Sequence, residues 1–417
     1  MEKTSTSNSK QWLQKLKDES WEAELLVSAV AIFGTFKLFS IITWITNKFI
    51  DIVDPSLHLA AYMVVFFGLF AISILASMFI IHFCLRAYWI GLVGLNSVFP
   101  DYSIEDSAYS KIYTEKIISI LPKVKDSIEK VDELCSVIFS AAFTFLLIYA
   151  NAAIISSLYL LIYNTFFESI PTIFLLIPLY ILCFLIILQM IVSIYANLKV
   201  NHEKHHVQIF SFKVNNLVSA IMFGPLYKSI LQVNMIFGSN FKKKKRLVFL
   251  MIVFLLSGAF ASFYQLDKTN ILYLINPKKY FQKDLIHPTY YQTNNIDNSY
   301  LLNPEIESDV IDGKLMKVFI PLFTYENKKR EKFCGYNLDN LNSKEAPKII
   351  NECYQKYILI TLNDKPVLSD FLNTLHERTQ QFGLVTYINV SDLNIGKNMI
   401  KISKGTSSEW EIPFFIE

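Results

Sequence analysis

Charge is scarce in this chain. Only 18% of its 417 residues are Asp, Glu, Lys or Arg, against about a quarter in a soluble domain of ordinary composition. The shortage is local. Long, almost uncharged stretches fill the chain before residue 265, whereas roughly the last 150 residues read as a normal globular domain. Arginine is scarcer still, with four among the 39 basic residues. Together with abundant Asn, Ile and Phe, that is the skew of an AT-rich coding genome, and it points to a bacterial source rather than to a function.

Other absences exclude function classes. The 12 glycines form neither G-x-x-x-x-G-K-[ST] nor G-x-G-x-x-G, which argues against a nucleotide-driven machine. There is no G-x-S-x-G nucleophile elbow and no inverted repeat of the kind that builds secondary transporters. No catalytic residue and no cofactor is expected, and nucleic acid is not an expected partner. The first 24 residues lack the short apolar core and small-residue cleavage site of an export signal. The first apolar helix is therefore expected to be an uncleaved anchor.

What the chain does have is apolar length. About 20 apolar residues cross the hydrocarbon layer as a helix, and segments 25–45, 59–81, 137–163, 173–196 and 247–264 meet that requirement. Segment 217–237 holds Gly224-Pro225, Lys228, Gln232 and Asn234, and reads as an interfacial helix pair or a re-entrant turn covered by protein. Lys and Arg collect in loops 86–135 and 199–246, and residues 207–266 contain no acid. Both loops thus belong in the cytoplasm.

The expected architecture is a polytopic α-helical membrane protein with five transmembrane helices, cytoplasmic helical extensions and a C-terminal extracytoplasmic antiparallel β-sandwich. Residues 1–24 form the cytoplasmic tail, 25–265 the membrane domain, and 266–417 the outer domain. The location implied is a bacterial inner membrane, with the N-terminus in the cytoplasm and the C-terminal domain periplasmic or extracellular.

Several residues stand out against that frame. Ile117, Leu121, Val124, Ile128, Val131, Cys135 and Ile138 step by four and three, a heptad seam expected to run unbroken into the third span and to pair with segment 199–240 or with another subunit. The basic cluster Lys242, Lys243, Lys244, Lys245 and Arg246 suits anionic lipid head groups at about 1 kcal/mol per base. Lys37 lies about 12 residues into the first span, where an ammonium costs about 2.5–3.5 kcal/mol. Other protein, a water-filled path, or Asp51, Asp54 or Glu168 is expected to hold it. Glu22 and Glu24 suit the start of that helix, and in an oligomer would form an acidic ring. Asn151 and Gln189 are mid-span polar candidates for a pore lining or interhelical hydrogen bonds.

His202-Glu203-Lys204-His205-His206 spells H-E-x-x-H, the zinc-protease pattern. Lys204 charges a position such families keep uncharged, and the next carboxylate is Asp267, across the membrane. Metal ligation by His202 and His206 is not the expected reading.

After Asp267, alternating runs at 315–325, 357–362, 384–390, 399–403 and 410–416, with one helix near 346–355, predict antiparallel strands. Cys334 and Cys353 fall in this outer domain, an even number in an oxidising compartment, so a disulfide is a candidate. The run Ile360-Thr-Leu-Asn-Asp-Lys-Pro-Val367, then Val385 to Asn398 and Ile400-Lys-Ile402, resembles galactose-binding-type jelly rolls, with Asp364 where Gly is usual. The resemblance implies a fold for about 50 residues and transfers no sugar-binding residue.

Two function classes follow. One is a homo-oligomeric channel or permeability effector, with intramembrane charge and a self-pairing seam. The other is a sensor or envelope scaffold whose outer domain binds a protein or glycan. A membrane metalloprotease is a distant third.

Overall fold

The structure is a computed structural model that describes residues 2–99, 102, 108–166, 172–240, 244–276, 287–294, 300–335, 346–405 and 408–417. It divides into two compact units: residues 1–42 with 64–268, and residues 43–63 with 269–417.

The first unit is helical. Its helices are α1 (Glu2–Ile52), α2 (His58–Val98), α3 (Lys111–Ile120), α4 (Val124–Phe166), α5 (Thr172–Ala196), α6 (His205–Phe223), α7 (Tyr227–Asn240) and α8 (Lys244–Leu266). The tail expected at 1–24 is continuous with the first apolar segment as one helix. Among the described residues, five helical stretches are long and apolar enough to cross a membrane: Trp21–Ile52, Pro55–Val98, Lys111–Phe166, His205–Val233 and Phe249–Leu266. The fourth takes in residues 217–233 of the segment that hydropathy set aside. Helix α5, the expected fourth span, is itself 25 residues long and carries Pro178 in its interior.

Helix α2 is central because it is apolar on every side. Its Ile74, Leu75, Met78 and Phe79 pack with Ile138 and Ala142 of α4 and Phe254 of α8. A β-carbon on Gly258 would stand 2.3 Å from the Ile74 side chain and 3.0 Å from its backbone. Only glycine lets α8 approach α2 that closely.

The heptad seam is not continuous. Pro122 forces the residue before it out of the helical region, and Leu121 is extended at φ −79°, ψ 139°. Helix α3 stops at Ile120 and α4 starts afresh at Val124. Ile117 and Leu121 are exposed, Val124, Ile128 and Val131 are half-buried, and only Cys135 and Ile138 reach the core.

The second unit joins the α1–α2 turn to two sheets. Asp54 opens that turn, its Oδ1 accepting from the Ser56 amide at 2.9 Å before the 3-10 turn Pro55–Leu57 leads into α2. Burial raises the Asp54 carboxyl, but the Ser56 bonds and Lys329 at 3.1 Å outweigh it and hold it below the usual range.

The sheets contain β1 (Glu305–Ile306), β2 (Val310–Ile311), β3 (Leu315–Pro321), β4 (Ile358–Leu362), β5 (Lys365–Val367), β6 (Leu372–Leu375), β7 (Phe382–Asn389), β8 (Gly396–Lys404) and β9 (Ser408–Ile416). One sheet has the order β1-β3-β7-β6 and the other β2-β9-β8-β4-β5. All pairings are antiparallel except β2 with β9. Met316, Val318, Ile320, Leu384 and Ile388 from the first sheet share one buried cluster with Ile360, Ile400, Ile402, Ile412 and Phe414 from the second. The hairpin β4–β5 turns on Asn363 (φ 46°) and Asp364 (φ 64°), both left-handed as a two-residue hairpin requires.

Two helices complete this unit, α9 (Glu326–Cys334) and α10 (Ala346–Tyr357). The sulfurs of Cys334 and Cys353 are bonded, linking them across a Cα–Cα distance of 5.5 Å. Strand alternation sends Lys404 inward beside Ile400 and Ile402. Its Nζ meets both Glu326 carboxylate oxygens at 3.1 and 3.2 Å, donates to the Pro321 carbonyl, and lies over the Phe323 and Trp410 rings. Burial still pushes the Lys404 ammonium down from its ordinary value, against the pull of Glu326.

Candidate functional site

The densest charge in the helical unit gathers where α1, α2 and α4 meet. Arg86 of α2 is 1% exposed. Its Nη1 donates to Asp132 Oδ1 of α4 at 2.6 Å, and its Nη2 donates to Glu24 Oε2 of α1. One guanidinium fork thus ties three helices, which lysine's point charge could not do in this geometry. The guanidinium also lies 5.0 Å from the Trp89 ring centre, and Trp89 packs on Trp21 at 5.6 Å.

One turn earlier on α2, His82 is completely buried, with its ring 5.2 Å from that of Phe139 on α4. Its Nδ1 meets Ser28 Oγ of α1 at 2.7 Å, and its Nε2 stands 3.9 Å from Glu24 Oε2. Glu24, offered by the sequence for an acidic ring in an oligomer, is paired with Arg86 within its own chain. Glu22 stays exposed.

Lys37 is exposed on α1, and no described carboxylate pairs with it. The acids suggested for it are committed elsewhere: Asp51 accepts from Thr324, and Asp54 pairs with Lys329. Glu168 lies outside the described residues. Leu26, Val30, Phe33, Lys37 and Ser40 step by four and three along α1 and are all exposed. An uncovered heptad stripe is thus on α1, whereas the lower half of the α4 seam is buried within its own chain.

Asn151 of α4 donates to the Met222 carbonyl of α6 at 2.9 Å, an interhelical bond. Helix α6 ends there because Gly224 adopts φ 51° before Pro225, leaving its last carbonyls without helical partners. Ser193 of α5 donates to Asn215 of α6 at 3.2 Å, and Gln189 is half-buried on α5. His202 and Glu203 lie in the turn before α6 and His206 in its first turn, so the two histidines do not share one helix. No group of three His, Cys, Asp or Glu able to hold a metal occurs among the described residues. Lys242 and Lys243 lie outside the described residues, while Lys244, Lys245 and Arg246 open α8.

The second unit has a cavity of about 540 Å³ walled by the last turns of α1 and by the β6–β7 turn. Trp44, Lys48 and Asp51 face it from α1, and Thr379, Gln380 and Phe382 from the turn. Tyr300 lies in the same wall, its hydroxyl held well above its ordinary value chiefly by burial. Behind the turn, Glu305 is 2% exposed and takes both Arg378 and His376, the latter at 3.1 Å.

No protein-family model matches the chain, and neither the curated proteins nor the solved structures include a significant match.

His82 and the bridging role of Arg86 escaped the sequence reading, which counted Arg86 among the bases of loop 86–135 and as part of a helical projection of the second span. A signal was present. In a chain so poor in arginine, Arg86 and Arg330 are both buried and Arg378 is locked on a buried acid. Arginine is used where a planar fork is needed.

Proposed function

We propose that this chain is a self-associating membrane channel for small anions, with the exposed face of α1 at the subunit contact and along the path. The observation that carries this reading is Lys37, exposed midway along an apolar helix with no acid among the described residues paired with it. Helical side chains lean towards the N-terminus, the longer way out for Lys37. Leaving it in lipid costs about 2.5–3.5 kcal/mol per subunit. A second copy and a water-filled axis remove that cost.

The topology proposed is five crossings, with the C-terminal β-sandwich outside. A count of crossings supports it. Asp51 and Asp54, at the α1–α2 turn, bind Thr324 and Lys329, so that turn and the β-rich domain belong on one side. An even number of crossings must then separate them. Helices α2, α4, α5 and α8 supply four, and a through-crossing by α6–α7 would make five. With α5 taken as a crossing, the α6–α7 segment does not pass through and lies at the interface or enters and returns. Two sheets facing one apolar core support the sandwich.

The test is mass and flux together. Wild type and K37M are measured in nanodiscs, and chloride efflux from liposomes is followed. The reading expects one oligomeric mass for both proteins and at least tenfold slower efflux for K37M. A wild-type monomer, or unchanged efflux in K37M, overturns it.

A second reading is favoured by the outer cavity. A protein segment or glycan bound beside Trp44 and Lys48 would act on α1 directly, as a sensor requires.

A further inference from the structure

We propose that the cavity of the β-rich unit holds the headgroup of one membrane phospholipid, its phosphate at Lys48 and its acyl chains leaving over Trp44, Leu375 and Phe382. The inference rests on reading α1 as a crossing, and it holds whether or not the chain conducts ions.

Helix α1 lines the cavity with a single stripe. Trp44, Asn47, Lys48 and Asp51 stand at i, i+3, i+4 and i+7, and so share one face. Their order along the helix runs from apolar to charged. Trp44 is 61% exposed at the end of the apolar segment 25–45. Lys48 lies about 4.5 Å beyond that segment at the helical rise, within a headgroup layer about 5–7 Å deep. Its side chain leans back towards the N-terminus, which is towards the lipid. Tryptophan is the residue that favours the boundary just below.

The sheet contributes an apolar rim. Leu375 of β6 and Phe382 of β7 are direct cross-strand partners. Both line the cavity, and they are 56% and 45% exposed. Strand β6 is an edge of its sheet, where apolar side chains left in water invite aggregation. Acyl chains would cover them. A free glycan would leave both in water.

Charge selects the phosphate. Lys48 is exposed and has no carboxylate paired with it among the described residues. Asp51 directs both its oxygens to Thr324. Asn327, which also lines the cavity, accepts from Arg330 Nη2 through its Oδ1 at 3.1 Å, so its amide nitrogen is the end left to donate. Arg330 is 6% exposed, and its Nε and Nη1 have no hydrogen-bond partner among the described residues. Positive charge thus backs Asn327.

The experiment is native mass spectrometry of the full chain in a polyoxyethylene detergent, titrated with phosphatidylglycerol. Separate arms add glycerol phosphate and maltotriose. Variants are K48Q, F382S and the control K365Q; all three positions are exposed, so no substitution opens the core. Wild type and K365Q should hold one lipid per chain. Both K48Q and F382S should bind it about tenfold more weakly, as loss of a charged contact or of apolar cover requires. Wild-type affinity in either variant overturns the proposal. Glycerol phosphate binding as tightly as the lipid would make this a site for free phosphate, and maltotriose displacing the lipid would make it a glycan site; each overturns it too. Carbonate extraction of membranes tests the crossing separately. A chain released by carbonate overturns that reading and this one together, whereas a retained chain with no Lys48-dependent lipid overturns this one alone.

Discussion

Asp51, in the last turn of α1, accepts from both the backbone amide and the hydroxyl of Thr324, at 3.0 and 3.1 Å. The Asp51 carbonyl accepts from the Tyr325 amide at 3.0 Å. A helix end normally leaves such acceptors to water. Here the start of α9 uses them, so the β-rich domain is fastened to the helix from which it is separated by more than 250 residues of chain.

The first prediction concerns that fastening. Asp51→Ala removes two bonds to a charged acceptor, each worth about 1.5–3 kcal/mol, while the carbonyl bond to Tyr325 survives. Hydrogen exchange at the Thr324 amide should accelerate at least tenfold, and Asp51→Asn should fall between the two. Exchange as slow as wild type in Asp51→Ala would mean that Thr324 is held by its other neighbours.

A second prediction addresses the broken helix. Asn151→Leu leaves the Met222 carbonyl without its partner at the α6 break. Interhelical hydrogen bonds of this kind contribute about 0.6–1.7 kcal/mol. Reversible unfolding in bicelles should show a loss within that range, with the far side of α6 unaffected. A neutral outcome would assign the carbonyl to water.

The third prediction is a pH dependence. Tyr291 is 3% exposed and donates its hydroxyl to the Pro413 carbonyl at 2.6 Å. Burial, aided by Asp309 and Tyr290, pushes the phenol up to about 12. Its folded value lies above the unfolded one of 10.0. The stability it contributes is therefore complete below pH 10 and drains away towards pH 12. Tyr291→Phe should be less stable at pH 8, and its deficit should shrink as the pH is raised from 10 to 12. The comparison isolates one phenol, since Tyr325 and Tyr357 are also raised by burial.

The strands of the C-terminal domain were readable because alternation is local. Segments 357–362, 384–390 and 410–416 coincide closely with β4, β7 and β9. Strands β1 and β2 were not readable, because two residues carry no period and exist only through their partners. The α3–α4 break was written in Pro122 but lost beneath a hydrophobic spacing that passes straight over it. The junction of Glu24, Arg86 and Asp132 was illegible for another reason: its members are 62 and 46 residues apart. No pattern along one helix states which carboxylates its arginine will meet. Lys37 is the converse case, since its position was plain in the sequence and its exposure, with no described acid paired with it, needed the structure.

Lys404 has one more implication. Its side chain is 2% exposed and enclosed by Glu326, Phe323 and Trp410, so an acylating reagent reaches it only when that enclosure opens. Acylation consumes the unprotonated amine and leaves Glu326 facing an uncharged amide, which prevents the enclosure from reforming. Each opening caught by the reagent is thereby recorded permanently in the mass of one peptide. The rate at which that mass accumulates is a clock for the breathing of the C-terminal domain.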